Sequence, residues 1–132
     1  MSQENLEVAR RAFSAWNAGD PDALRDAYDP DAVMRYHGDW PEPGPFSGRD
    51  AIIRQFERIR EALDDRDSLV FIGDPRHVGN RVVIRFAWRG EGHGPAMDLE
   101  VTVVYAIRDG RILQADFFPD HAEALEAAGL DT

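Results

Sequence analysis

A long hairpin near the end of the chain limits what it can fold into. Residues 96–107 form a long run in which Asp98, Glu100 and Thr102 alternate with apolar residues before an apolar stretch over 103–107; it meets Arg108-Asp109-Gly110-Arg111 and reverses into a second apolar-rich run ending at Phe117 and Phe118. Asp-Gly between two such runs signals a two-residue hairpin turn, because both turn positions need a positive φ. Strands this long twist and coil, and the segments ahead of them read as helices. The expected product is a curved sheet that cups helices and encloses a pocket.

Those helices follow from spacing. Leu6, Ala9, Phe13 and Trp16 place one apolar stripe on a helix over residues 4–17, stopped by Gly19. Asp20 followed by Pro21 is a helix cap with proline at the first helical position. It predicts a short second helix with Leu24, Ala27 and Tyr28 inward, ending at 29–31. A short strand over 32–37 puts Met34 and Tyr36 on one face. Three prolines and three glycines make 38–48 a loop. Ile52, Phe56, Ile59 and Leu63 then define a third helix over 49–63.

From Leu69 onward the period is two. Leu69–Ile72 is a strand, Gly79-Asn80 a turn, and Val82, Ile84, Phe86 and Trp88 one face of the next strand. A glycine-rich connection over 90–95 leads into the hairpin, and Asp120 caps a last helix ending near Gly129. The pattern predicts an α+β fold: a cone-shaped, curved antiparallel sheet with the N-terminal helices packed on its concave face around a pocket. A length of 132 residues fits a single domain over 1–132.

Composition excludes several function classes. A formal charge of −10 argues against nucleic acid and anionic membranes, both of which select clustered Lys and Arg. No apolar run approaches the ~20 residues of a membrane span. The absence of cysteine removes disulfides, thiolate metal sites and cysteine nucleophiles. With no secretory-type start, it leads to the expectation of a cytoplasmic protein. The sequence contains no phosphate loop, nucleophile elbow or dinucleotide fingerprint. No histidine pair has helical zinc spacing, and His37 with Asp39 is a weak metal signal. The expectation is therefore no cofactor and no metal.

Several segments in this order resemble the nuclear-transport-factor-like superfamily, and within it the SnoaL-like group of polyketide cyclases, ketosteroid isomerases and limonene epoxide hydrolases. They are Phe13 to Asp20, Tyr28 to Val33, Phe46 to Asp50, Arg108 to Ile112 and Glu123 to Leu130. The resemblance implies a cone-shaped fold with an apolar cavity, commonly dimerising through the sheet's outer face. It does not transfer either known catalytic set. The ketosteroid isomerase base, oxyanion tyrosine and buried acid fall near Tyr36, Ala12 and Val103. The epoxide hydrolase triad falls on Phe86, Trp88 and Phe117.

The expected pocket is lined by Phe13, Trp16, Met34, Tyr36, Phe86, Trp88, Leu99, Val101, Val103, Tyr105 and Phe117, which suits a small apolar, ring-bearing molecule. Tyr36, Tyr105 and Asp116 are the candidate catalytic groups, the tyrosines donating to a developing oxyanion. Asp116 depends on register. Strict pairing about the turn sets Val103 against Asp116 and aims the acid inward, where an apolar setting would raise its pKa. Matching to the relatives points Phe117 inward instead, and a bulge would reconcile the two. His37 is expected at the rim, pointing opposite to Tyr36, and His77, His93 and His121 outside the pocket. Asp98 and Glu100 read as a solvated or interfacial face. Three functions follow: a cofactor-independent isomerase, cyclase or hydrolase-like enzyme, a non-catalytic binder of a small apolar molecule, or a homodimeric interaction module.

Overall fold

The computed structural model describes residues 2–38, 44–61, 68–90 and 97–129. Leu63 to Asp65, the connection at 91–95 with His93, and Asp39 and Trp40 lie outside these residues, as do the side chains of Asp98 and Leu99. Helix α1 runs Ser2–Ala18, α2 Pro21–Asp26, α3 Arg49–Glu61 and α4 His121–Ala127. Strands β1 Tyr28–Tyr36, β2 Phe46–Ser47, β3 Ser68–Phe71, β4 Arg76–Val78, β5 Arg81–Gly90, β6 Met97–Arg108 and β7 Arg111–Phe118 form one sheet. Its order is β2-β1-β7-β6-β5-β3, with β4 also on β5.

Local chemistry sets the helix boundaries. Gly19 takes a φ of 67° after α1, a left-handed conformation that costs glycine little. Asp20 then accepts from the Ala23 amide at 3.1 Å to start α2. Asp120 does the same for α4, accepting from Ala122 N at 2.9 Å. Tyr28 is not the end of α2, as its spacing suggested, but the first residue of β1. The β-branched and aromatic content of 28–36 favours a strand that the sheet can pair. The short pair Phe46–Ser47 against β1 was also not foreseen within the Pro-rich loop.

The expectation of an antiparallel sheet needs one correction. β1 lies parallel to β7, from Val33 opposite Gln114 to Tyr36 opposite Phe117. The Ala27 carbonyl accepts from Ile112 N at 2.8 Å, so the chain leaves α2 already beside β7 and runs in the same direction. The remaining pairs are antiparallel.

The hairpin turns at Asp109 and Gly110 with φ of 53° and 76°, as a two-residue turn of this hand requires. Arg108 pairs with Arg111 and Ile107 with Ile112, but Ala106 pairs with Gln114. Leu113 is therefore an extra residue, a bulge in β7. Because side chains alternate along a strand, this one residue exchanges the two faces of β7 beyond it.

The core lies between α1, α2, α3 and the concave face. It contains Val8, Phe13, Met34, Ile52, Ile84, Val103, Tyr105 and Ile112, all buried. A smaller cluster of Val83, Val104, Phe118, Ala124, Leu125 and Ala128 fixes α4 to the convex face. Asn17 clamps the end of α1 to β3: its Nδ2 donates to Leu69 O at 3.0 Å and its Oδ1 accepts from Leu69 N at 2.8 Å. No described helix is long and apolar enough to cross a membrane.

Candidate functional site

A cavity of about 390 Å³ lies between the concave face and the helices. From α1 it takes Ala12, Phe13 and Trp16, from α2 Leu24, and from α3 Gln55, Phe56 and Ile59. The sheet contributes Tyr28 and Tyr36 (β1), Leu69 (β3), Phe86 and Trp88 (β5), Val101 and Tyr105 (β6) and Phe117 (β7). Register explains the sheet's share: Phe86 pairs with Val101, and Phe117 with Tyr36 on one side and Val103 on the other.

The aromatic residues hold one another edge to face, the arrangement ring quadrupoles favour. Phe13 sits between Phe71 at 4.8 Å and Phe86 at 5.0 Å. Trp16 meets Phe56 at 5.5 Å and Trp88 at 5.7 Å. Arg60 fixes Trp16 from outside, donating to its carbonyl at 2.6 Å and standing 5.5 Å from its ring. Tyr36 packs against Phe117 and Phe46 at 5.3 and 6.1 Å.

Tyr28 and Tyr105 form the polar centre. They are 1% and 3% exposed and close enough that each influences the other's titration. Burial raises the pKa of both. The neighbouring Tyr105 raises that of Tyr28 further, the proximity of Tyr28 partly offsets the rise at Tyr105, and the nearby Tyr36 adds to both rises. Both hydroxyls are therefore protonated at neutral pH. Both line the cavity and carry a proton to donate there.

Six of the expected lining residues, Phe13, Trp16, Phe86, Trp88, Val101 and Phe117, face this cavity, together with Tyr36 and Tyr105. Met34 and Val103 do not. Both are fully buried at 0% exposure; with no accessible surface they pack the core beneath the cavity and offer a guest nothing to touch.

Asp116 needs the larger correction. The Leu113 bulge pairs Val103 with Phe117 and Val104 with Asp116, so the acid lies on the convex face and Phe117 takes the inward place. There Asp116 Oδ1 accepts from His37 Nε2 at 2.9 Å and Oδ2 accepts from Gln114 Nε2 at 3.0 Å. His37 also stacks on Phe118, with centroids 4.2 Å apart and planes 4° from parallel. Two residues weighed separately in the sequence thus form one pair on the outer face. His121 lies near them on that face, 2.9 Å from Thr102 Oγ1. Burial and the nearby Arg85 and Arg76 lower its pKa. Glu100 faces outward with Arg85 at 3.2 Å.

Sequence reasoning missed Tyr28 and Gln55 as cavity residues. Gln55 carried a signal: it sits three residues after Ile52 and four before Ile59, a lone amide within the apolar stripe of α3. Among the described residues no carboxylate or imidazole lines the cavity, and no group of three His, Asp or Glu could hold a metal.

Helices packed into a curved, unclosed mixed sheet around an apolar hollow define a nuclear-transport-factor-like cone fold. Within it the chain belongs to the SnoaL-like domain family, whose model matches residues 9–115. Among solved structures it is similar to Bal32a from a soil-derived mobile gene cassette, with 25% identity over 87% of this chain and 88% of that one and a TM-score of 0.77. A protein from Sinorhizobium meliloti, proposed to be a polyketide cyclase, is 23% identical over 84% and 93% of the two chains, with a TM-score of 0.68. A Catenulispora acidiphila protein with a ketosteroid isomerase-like fold, determined with trimethylamine, is 18% identical over 94% and 93%, with a TM-score of 0.72. No curated protein matches the chain.

Proposed function

We propose that this chain binds a small, largely apolar, ring-bearing molecule between α1, α3 and the sheet, with an oxygen of that molecule at Tyr105. One observation carries the reading: an aromatic-walled cavity of about 390 Å³ with a buried Tyr28–Tyr105 pair at its centre. Apolar walls with a few fixed polar groups are how such sites combine affinity with orientation.

A second reading extends the first to catalysis: a cofactor-independent cyclase, isomerase or hydratase. It is favoured by the family and by the polarity of the tyrosine pair. Two protonated tyrosine hydroxyls at the cavity wall are available to donate to a developing oxyanion. A general base must lie within hydrogen-bond reach of its proton, and among the described residues the cavity offers neither carboxylate nor imidazole. In this reading the walls orient the substrate, the tyrosines stabilise charge, and Asp116 takes no part.

Calorimetric titration with 1-tetralone, a bicyclic ketone, tests the binding reading. The expected result is one site per chain, abolished by Ala12→Trp, which fills the cavity, and weakened about tenfold by Tyr105→Phe. Absence of saturable binding to the unmodified protein, or unchanged affinity in Ala12→Trp with helical content retained, refutes it. Turnover of a cyclisable polyketone by a protein that passes this test would select the catalytic extension.

A further inference from the structure

Gln55 is buried, at 6% exposed, and lines the cavity from α3. Its Oε1 accepts from Arg58 Nη2 at 2.5 Å. A guanidinium has only donors, so this contact fixes which way the amide faces: the oxygen meets Arg58 and the NH₂ group is turned from it. Among the described residues no acceptor takes those two N–H groups. An amide anchored at its oxygen, set in an apolar helix stripe and left with its donors at a cavity wall, is poised for a guest's oxygen. A donor at an apolar wall is poorly hydrated, and a ligand oxygen that pairs it gains a hydrogen bond there.

We infer that Gln55 is a specificity-determining donor, and that the ligand carries two hydrogen-bond acceptors, one at Tyr105 and one at Gln55. This rests on the binding reading above and narrows it to ring systems bearing two carbonyl, quinone or ether oxygens. A hydrocarbon of the same shape leaves both donors unpaired and binds more weakly.

The test compares 1,4-naphthoquinone, with oxygens at opposite ends, and naphthalene, with none, by calorimetric titration. The unmodified protein is expected to bind the quinone at least tenfold more tightly than naphthalene. Gln55→Met keeps the side chain's length and removes the donors. It is expected to weaken the quinone about tenfold while naphthalene changes less than twofold. Gln55→Glu keeps an acceptor for Arg58 and sets an oxygen where the NH₂ stood, so it is expected to weaken the quinone at least as much. Circular dichroism melts show which variants are folded, and one folded variant suffices. Equal loss for both probes, or an unchanged quinone affinity in either folded variant, overturns the inference and leaves the binding reading standing. Failure of the unmodified protein to bind either probe overturns both.

Discussion

Replacing Tyr28 and Tyr105 by phenylalanine, singly and together, measures how far the two neighbouring hydroxyls depend on each other. Each substitution keeps the ring and removes one hydroxyl from a residue only 1% or 3% exposed, beside a tyrosine whose titration it influences. Loss of one neutral polar contact costs about 1 kcal/mol, and leaving the neighbouring hydroxyl poorly satisfied at an apolar wall raises each single loss to about 1 to 2 kcal/mol. In the double variant neither hydroxyl remains and two rings of unchanged shape are left. Its loss is expected to be about 1 to 2 kcal/mol, below the sum of the single losses. Urea unfolding with a constant m-value measures all four proteins, and the cycle is expected to yield a coupling of about 1 kcal/mol. Additive losses would refute the mutual dependence of the pair.

Deleting Leu113 removes the bulge and restores strict pairing, driving Asp116 toward the core face. The expected result is loss of the cooperative thermal transition, whereas Leu113→Ala, which keeps the residue count, costs about 1 kcal/mol. Asp116→Asn leaves 1-tetralone affinity and any turnover unchanged, because the acid is on the opposite face from the cavity; a tenfold change in either would return it to the site. His121 has a folded pKa below its ordinary value. The unfolded chain therefore binds that proton more readily, and the stability contribution, intact above about pH 6.5, declines as pH falls toward the folded value. Unfolding titrations from pH 8 to 5 are expected to show this decline weakened in His121→Asn. The homodimer over the outer face that the family resemblance implies predicts twice the chain mass of 14.9 kDa by sedimentation at micromolar concentration, and a monomer mass would exclude it.

Much of the architecture was legible in the sequence because short-range physics sets it. The Asp109-Gly110 turn follows from a backbone requirement that few residue pairs meet. The apolar stripes of α1 and α3, the Asp20 and Asp120 caps and the alternation of β5 and β6 are likewise local. They identify which faces are buried, and so named Phe13, Trp16, Phe86, Trp88 and Tyr105 as inward residues.

What the sequence left open depends on long-range pairing. One unpaired residue, Leu113, decides whether β7 presents Asp116 or Phe117 to the cavity, and a bulge between Ile112 and Gln114 carries no fixed sequence signature. The parallel seating of β1 on β7, the meeting of His37 with Asp116, and the proximity of Tyr28 to Tyr105 each join residues more than seventy positions apart. The Arg58 contact that holds the oxygen of Gln55 is local to α3, but its place at a cavity wall was set only when the sheet and α1 packed against that helix. Local periodicity can say that a side chain is buried, but only tertiary packing decides what it meets there, because that choice is made by strands and helices distant along the chain.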